Sequence, residues 1–300
     1  MRTAFIKELT ELAEEDKNIW LINGDLGYSV LEEFRDRFPD RFINAGVAEQ
    51  NMMGVAAGLA LSGKTVFVYS IANFPTFRCL EQIRNDVCYH NANVKIISIG
   101  AGYTYGSHGY THHGVEDIAV MRVLPNMSVV APGDPIESSL LTKYIANHQG
   151  AFYMRLGKAG EPSIHSSNPK IESGKLIECK HGRDAVIIST GNMLANAVEV
   201  SRVLRKHDKD IGVFSCPFLE PIDTEGILNI AKSTLQLITL EEHGIGGLGT
   251  IVSEILAKEN LPVKFIPLFL NKQIPIHAGN QSQMQEDKGL SVKKIIERLF

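Results

Sequence analysis

The 300 residues carry 44% hydrophobic and 21% charged side chains, an ordinary globular composition with enough apolar material for two domains. A formal net charge of −4 excludes bulk attraction to nucleic acid or to an anionic membrane, and Cys79, Cys88, Cys179 and Cys216 form no CxxC pair, so they read as reduced thiols. No apolar run reaches membrane-spanning length and the N-terminus has no signal-peptide core, so a cytoplasmic location with neither membrane nor nucleic acid as partner is expected.

The spacing of Ala4, Phe5, Leu9, Leu12 and Ala13 predicts a helix over residues 3–16. A short buried strand follows from Asn18 and ends in a turn at Gly24-Asp25, the kind of strand end where open α/β sheets place ligands. Leu31 to Arg37 predicts a short helix, and Arg41 to Ala45 a strand. From Ala45 to Leu61 the chain reads as a helix that is apolar nearly all round, rich in glycine and alanine, with Glu49 as its only charge. Such a helix is expected to be buried. A carboxylate there is costly unless a partner neutralises or hydrogen-bonds it. Two readings of Glu49 stay open on the run alone: a structural ion pair with an arginine such as Arg78 or Arg84, or a catalytic carboxyl.

Beyond Ser62-Gly-Lys, Thr65 to Ile71 predicts a strand, Phe77 to Tyr89 a helix and Val94 to Gly100 a strand. Ala101 to Asp117 is a loop rich in glycine and histidine. A helix begins at Glu116, a strand at Met127 stops at Pro132, a helix spans Pro135 to Asn147, and Ala151 to Leu156 is a further strand. Gly157 to Ser173 has little periodicity and a connector's composition. The domains are therefore drawn at 1–160 and 181–300, with a linker at 161–180. In the second unit, strands at 184–190, 211–215, 236–242 and 263–267 alternate with helices at 193–207, 224–232, 247–259 and 290–300. The expected fold class is α/β: two consecutive three-layer domains with mostly parallel sheets.

Phe42-Ile-Asn-Ala-Gly-Val-Ala-Glu-Gln-Asn-Met and Thr111-His-His-Gly, in this order with Asp25-Leu26 and Phe74-Pro-Thr-Phe-Arg between and before them, resemble the pyrimidine-binding domain of thiamine-diphosphate enzymes of the transketolase and deoxyxylulose-phosphate synthase group. Leu240-Glu-Glu-His-Gly-Ile-Gly-Gly-Leu-Gly is similar to that family's C-terminal domain, so the resemblance covers almost the whole chain. It implies that Glu49 hydrogen-bonds the aminopyrimidine ring of thiamine diphosphate and favours the imino tautomer that takes the thiazolium C2 proton, a role that suits a desolvated carboxyl. It implies that Phe74 and Phe77 wall the pyrimidine, with Arg78 alongside, and that Leu26 props the cofactor with Asp25 beside it. His112 is implied as a catalytic and substrate-contacting histidine, with Ser29, His108 and Arg155 as further substrate contacts, Arg155 holding a phosphate. The histidines could also be read as zinc ligands, but no cysteine is near and the glycines suit a mobile substrate loop, so no metal site is expected on this chain.

Three departures bear on the substrate. His108 stands where transketolases carry an aspartate, Tyr110 replaces the usual proline, and a basic residue near Gly100-Ala101 is absent. They point to an atypical sugar as the substrate. The family's Gly-Asp-Gly motif for Mg²⁺ (or Ca²⁺) and diphosphate is also missing, since Gly24-Asp25 is followed by Leu26 and Gly133-Asp134 by Pro135. The resemblance therefore implies the C-terminal subunit of a split transketolase. An N-terminal partner subunit would hold the metal, in an α2β2 assembly that passes a two-carbon ketol unit from a ketose to an aldose. Alternatives within the same reading are a synthase-like subunit, a 2-oxoacid dehydrogenase β-like subunit and a non-catalytic homologue.

Overall fold

The computed structural model describes residues 1–299. In the first half, β1 (Ile19–Asn23), β2 (Phe42–Asn44), β3 (Thr65–Ile71), β4 (Val94–Ile99), β5 (Met127–Val130) and β6 (Ala151–Leu156) alternate with α1 (Arg2–Glu15), α2 (Glu32–Arg37), α3 (Glu49–Leu61), α4 (Leu80–Gln82), α5 (Asp117–Arg122) and α6 (Pro135–Ala146). The second half contributes β7 (Ile177–Lys180), β8 (Ala185–Ser189), β9 (Ile211–Ser215), β10 (Phe218–Glu220), β11 (Gln236–Leu240) and β12 (Lys264–Leu268). Its helices are α7 (Leu194–Arg205), α8 (Thr224–Ser233), α9 (Leu248–Lys258), α10 (Gln281–Asp287) and α11 (Val292–Leu299). The terminal helix was expected to run to Phe300, which lies outside the described residues. Among the described residues no helix is long and apolar enough to cross a membrane.

The first sheet has the order β10-β5-β6-β4-β3-β1-β2 and the second β12-β11-β8-β9-β7. Both are mostly parallel; the exceptions are β10 against β5 and β7 against β9, which are antiparallel. Strands β4 and β6 are buried along their whole length, as near-continuous apolar strands covered by helices on both faces should be. The chain runs from β1 to β2 on one flank, and α3 then carries it back to β3 on the other flank of β1. The loops after β1 and β3 thus diverge at a reversal of strand order, which opens a crevice at the carboxyl ends of the strands.

Four local outcomes differ from the sequence expectation. Residues 177–180, within the stretch read as connector, form β7 at the edge of the second sheet. β10 was not expected at all. It leaves the second half and adds a strand to the first sheet, pairing Phe218 with Val130. The helix expected over Phe77–Tyr89 is a 3₁₀ turn (Phe77–Cys79), α4 and a π-helical stretch (Ile83–Cys88) in succession. Finally, α3 is not buried all round: Met52, Met53, Ala56, Ala57 and Ala60 face the core, whereas Gly54, Val55, Gly58 and Leu61 face outward. The helix also begins at Glu49 rather than Ala45, because Gly46 takes a φ of 70° that a helix cannot include.

Candidate functional site

Glu49 opens the first turn of α3 at the crevice, and its side chain is only 4% exposed. Its partner is Arg78, one of the two arginines considered above, whose Nη1 donates to Oε1 at 3.0 Å. Arg78 in turn lies over the ring of Phe74, with Cζ 4.1 Å from the centroid. Phe74 meets His112 edge-on at 5.4 Å, and His112 lies 5.1 Å from His108. Residues from three loops, after β2, β3 and β4, thus form one continuous series. Beside it opens a cavity of about 510 Å³ lined by Asn73, Phe74, Phe77, Arg78, Tyr110, Thr111 and Glu116. It is apolar and aromatic with a few polar groups, which is how small-molecule sites are commonly built.

The loop that carries the histidines is tied down by groups that the sequence did not single out. Asn73 Nδ2 donates to the carbonyls of Thr111 (3.1 Å) and His113 (2.9 Å). The third histidine, His113, is buried, with Nε2 3.1 Å from the Gly106 carbonyl. It therefore braces the loop from inside, while His112 is half-buried against Phe74, which lines the cavity. Burial, followed by the neighbouring His108, His113 and Arg78, holds the His112 imidazole below the ordinary histidine range. The neutral form then dominates near pH 7, ready to donate from one nitrogen and accept at the other. Tyr110 donates to Glu116 at 3.0 Å, and burial raises that carboxyl above the usual range. Among the described residues, no group of three or more His, Cys, Asp or Glu side chains is arranged to hold a metal ion.

Asp25 and Leu26 line a separate, smaller depression of about 150 Å³ with Asn23, Tyr28, Leu31 and Asn44. Asp25 and Ser29 are exposed, and both take positive φ (56° and 61°), which makes the turn after β1 tight. Asn44, at the end of β2, joins this turn to the approach to α3. Its Oδ1 accepts from the backbone N–H of Asp25 and of Gly46, each at 3.0 Å. An asparagine two residues before a positive-φ glycine was the available signal for that role.

Arg155 does not reach the cavity, which corrects the expectation that it holds a substrate phosphate. Its side chain is 1% exposed, and Nε donates to Asp117 Oδ2 at 2.8 Å. Nη2 donates to the carbonyls of Gly114 (2.5 Å) and Glu242 (3.0 Å). Tyr153 donates to the same Asp117 oxygen at 2.6 Å, and His243 Nε2 accepts from the Ile118 N–H at 3.1 Å. The Glu242 carboxylate receives the side-chain amides of Asn192, Gln281 and Gln285 at 2.8 to 2.9 Å. All of these groups lie where the second sheet packs on the carboxyl end of β6. A strand with neighbours on both sides and a second domain on its end leaves an arginine no route to solvent, so it must be paired in place.

Comparison with known proteins gives a consistent result. Residues 1–160 match the model of the transketolase pyrimidine binding domain, and residues 174–295 that of the transketolase C-terminal domain. One of the subunits of an apulose-4-phosphate transketolase from Phocaeicola vulgatus is 37% identical over 88% of this chain and 86% of its own length. A putative transketolase C-terminal section from Methanocaldococcus jannaschii is 36% identical over 100% of this chain and 95% of its own. A subunit of a 6-deoxy-6-sulfo-D-fructose transketolase from a Clostridium species is 33% identical over 99% and 92%. Among solved structures, a split-gene transketolase described as an inactive beta4 tetramer superposes with a TM-score of 0.88 at 37% identity, covering 99% of this chain and 95% of that one.

Proposed function

This chain belongs to the transketolase family, and from that premise we propose that it is the C-terminal subunit of a two-chain transketolase. It binds the pyrimidine end of thiamine diphosphate and, with an N-terminal partner subunit, moves a two-carbon ketol unit from a ketose donor to an aldose acceptor. The observation that carries this reading is the Glu49 carboxyl, 4% exposed and paired with Arg78, which itself lines the aromatic cavity. The bound cofactor supplies the thiazolium carbon that accepts and releases the ketol unit. Glu49 holds a proton at the pyrimidine ring nitrogen, and Arg78 keeps its carboxyl aimed. Phe74 and Phe77 would offer ring faces to the pyrimidine, worth on the order of 1 kcal/mol per stacked pair, while Asp25 and Leu26, in the separate depression after β1, would approach the cofactor from that side. His112 hydrogen-bonds substrate oxygens at the cavity, with Ser29 and His108 as further contacts.

The residues present fit the pyrimidine half of the cofactor. In this reading Mg²⁺ or Ca²⁺ and the diphosphate would be held mainly by the partner. The outward face of α3, with Val55 37% and Leu61 60% exposed around Gly54 and Gly58, is a surface that suits close helix packing in an α2β2 assembly. Two relatives are named for an apulose phosphate and a sulfofructose, which agrees with an atypical sugar here as well. The test is to titrate the purified chain with thiamine diphosphate and Mg²⁺, alone and mixed with the N-terminal subunit. Tight binding only in the mixture is expected; tight binding by this chain alone, or in neither sample, overturns the proposal. Efficient turnover of xylulose 5-phosphate with ribose 5-phosphate would overturn its substrate part alone.

A further inference from the structure

The loop after β4 repeats a two-residue unit, Ser107-His108 and Thr111-His112, four residues apart. In both units the hydroxyl lies next to the Nδ1 of its own histidine, at 3.4 Å for Ser107 and 3.0 Å for Thr111. Gly109, at a φ of 81°, turns the chain between them. Their rings come to 5.1 Å between centroids, tilted by 40°, and Tyr105 meets both edge-on at 5.6 and 6.5 Å. Neither Nε2 has a hydrogen-bond partner among the described residues. His108 is exposed and His112 half-buried, whereas the third histidine of the loop is spent on the Gly106 carbonyl.

Arg78 approaches from the loop after β3 as the counter-ion of Glu49, and Glu116 accepts from the Tyr110 hydroxyl, so an anion is favoured by the two open ring nitrogens rather than by a net positive field. The phenol of Tyr105 and the neutral, inward His113 add no negative charge. No third side chain completes a metal-binding set with the two imidazoles among the described residues. When each hydroxyl donates to the Nδ1 beside it, both rings present an Nε2–H, and two such donors match the oxygens of one phosphate, sulfonate or carboxylate.

We propose that His108 is a specificity-determining residue that pairs with His112 to bind an oxyanion group of the substrate at the cavity. This inference rests on the reading of that cavity as the substrate site. Phosphate and sulfonate share the chemistry, and separate arms of the test distinguish them. The full chain, labelled for histidine NMR, is titrated with inorganic phosphate, with methanesulfonate and with chloride at matched ionic strength, near the ordinary histidine pKa of about 6.5. The expected result is a saturable shift of the His108 and His112 ring resonances with one shared affinity, in at least one oxyanion arm and not with chloride. His108→Asp, which places a carboxylate beside His112, is expected to weaken that affinity at least about tenfold; the same loss in His108→Asn would trace it to the missing imidazole. The proposal is overturned if neither ring responds, if every exposed histidine responds alike, or if His108→Asp leaves the His112 response unchanged. Cofactor binding in the two-subunit mixture is scored independently, so loss of the anion response with cofactor binding intact refutes this inference and not the transketolase reading.

Discussion

Arg155→Met separates a substrate arginine from a structural one. The substitution keeps an apolar stem but removes the guanidinium, leaving Asp117, 0% exposed, with the Tyr153 hydroxyl as its remaining close donor. The carbonyls of Gly114 and Glu242 lose their donor at the same time. Because both partners of the ion pair are fully buried, no discount for solvent screening applies, and breaking it is expected to cost about 3–5 kcal/mol. At an unfolding entropy of about 2.1 cal/mol/K per residue, roughly 0.6 kcal/mol/K for the whole chain, that lowers Tm by about 5–8 °C. Calorimetric melts of the isolated chain measure it directly. Adding Asp117→Asn should recover at least about 1 kcal/mol, because the stranded charge is gone while the Tyr153 hydroxyl still has an acceptor. A variant that melts within about 1 °C of the parent while its two-subunit mixture loses affinity for phosphorylated substrates alone would refute the structural assignment and restore Arg155 to the substrate site.

Glu49→Gln should leave Tm nearly unchanged, since an amide oxygen can still accept from Arg78, yet lower turnover of the two-subunit mixture by about 10²–10⁴-fold; steady-state rates beside a melt distinguish this from misfolding. Gly102→Ala should destabilise by about 1–3 kcal/mol, because at a φ of 60° its Cβ would collide with Glu242 Oε2, a carboxylate that three amides hold in place; a melt decides it. Burial depresses His243 to about 4, so the folded state is penalised as pH falls from about 6.5 towards that value. His243→Gln should therefore flatten the acid side of a urea-midpoint profile. Glu241 runs the other way: burial raises it to about 7, and stability falls as pH rises from the unfolded value of about 4.3 through that point. Val55→Asp, on the outward face of α3, should leave the chain folded by circular dichroism but abolish cofactor binding in the mixture.

The parallel α/β character of both halves was legible because strand and helix periods alternate without ambiguity from residue 19 to residue 156 and again from 185 to 268. The glutamate, the aromatic pair and the histidine loop were singled out by their resemblance to the pyrimidine-binding domain, and in the structure Glu49, Arg78, Phe74 and His112 follow one another in contact. What could not be read was long-range. β10 is three residues long, and nothing in Phe218-Leu-Glu indicates that it pairs with Val130 rather than within its own half. The outward face of α3 was misjudged for a related reason: glycine, valine and leucine look buried by composition, but one chain supplies no surface to bury Gly54, Val55, Gly58 and Leu61.

Arg155 and Glu49 show the same point from opposite ends of one sheet. Both belong to the carboxyl-terminal edge, and both are charged groups in apolar surroundings. At β6 that edge is capped by the second half of the chain, through Glu242, His243 and the Gly191 N–H that donates to Ala131; the arginine there is fully paired and closed off. At β1 and β2 the described residues provide no such cap: Asp25, Ser29, Asn44 and Val47 are exposed, and β2 is a three-residue edge strand. An uncovered edge strand exposes unpaired backbone groups. Under the proposed two-chain assembly the partner would close over the β1–β2 end and the outward face of α3, and the proposed substrate would reach His108 and His112 from the remaining opening.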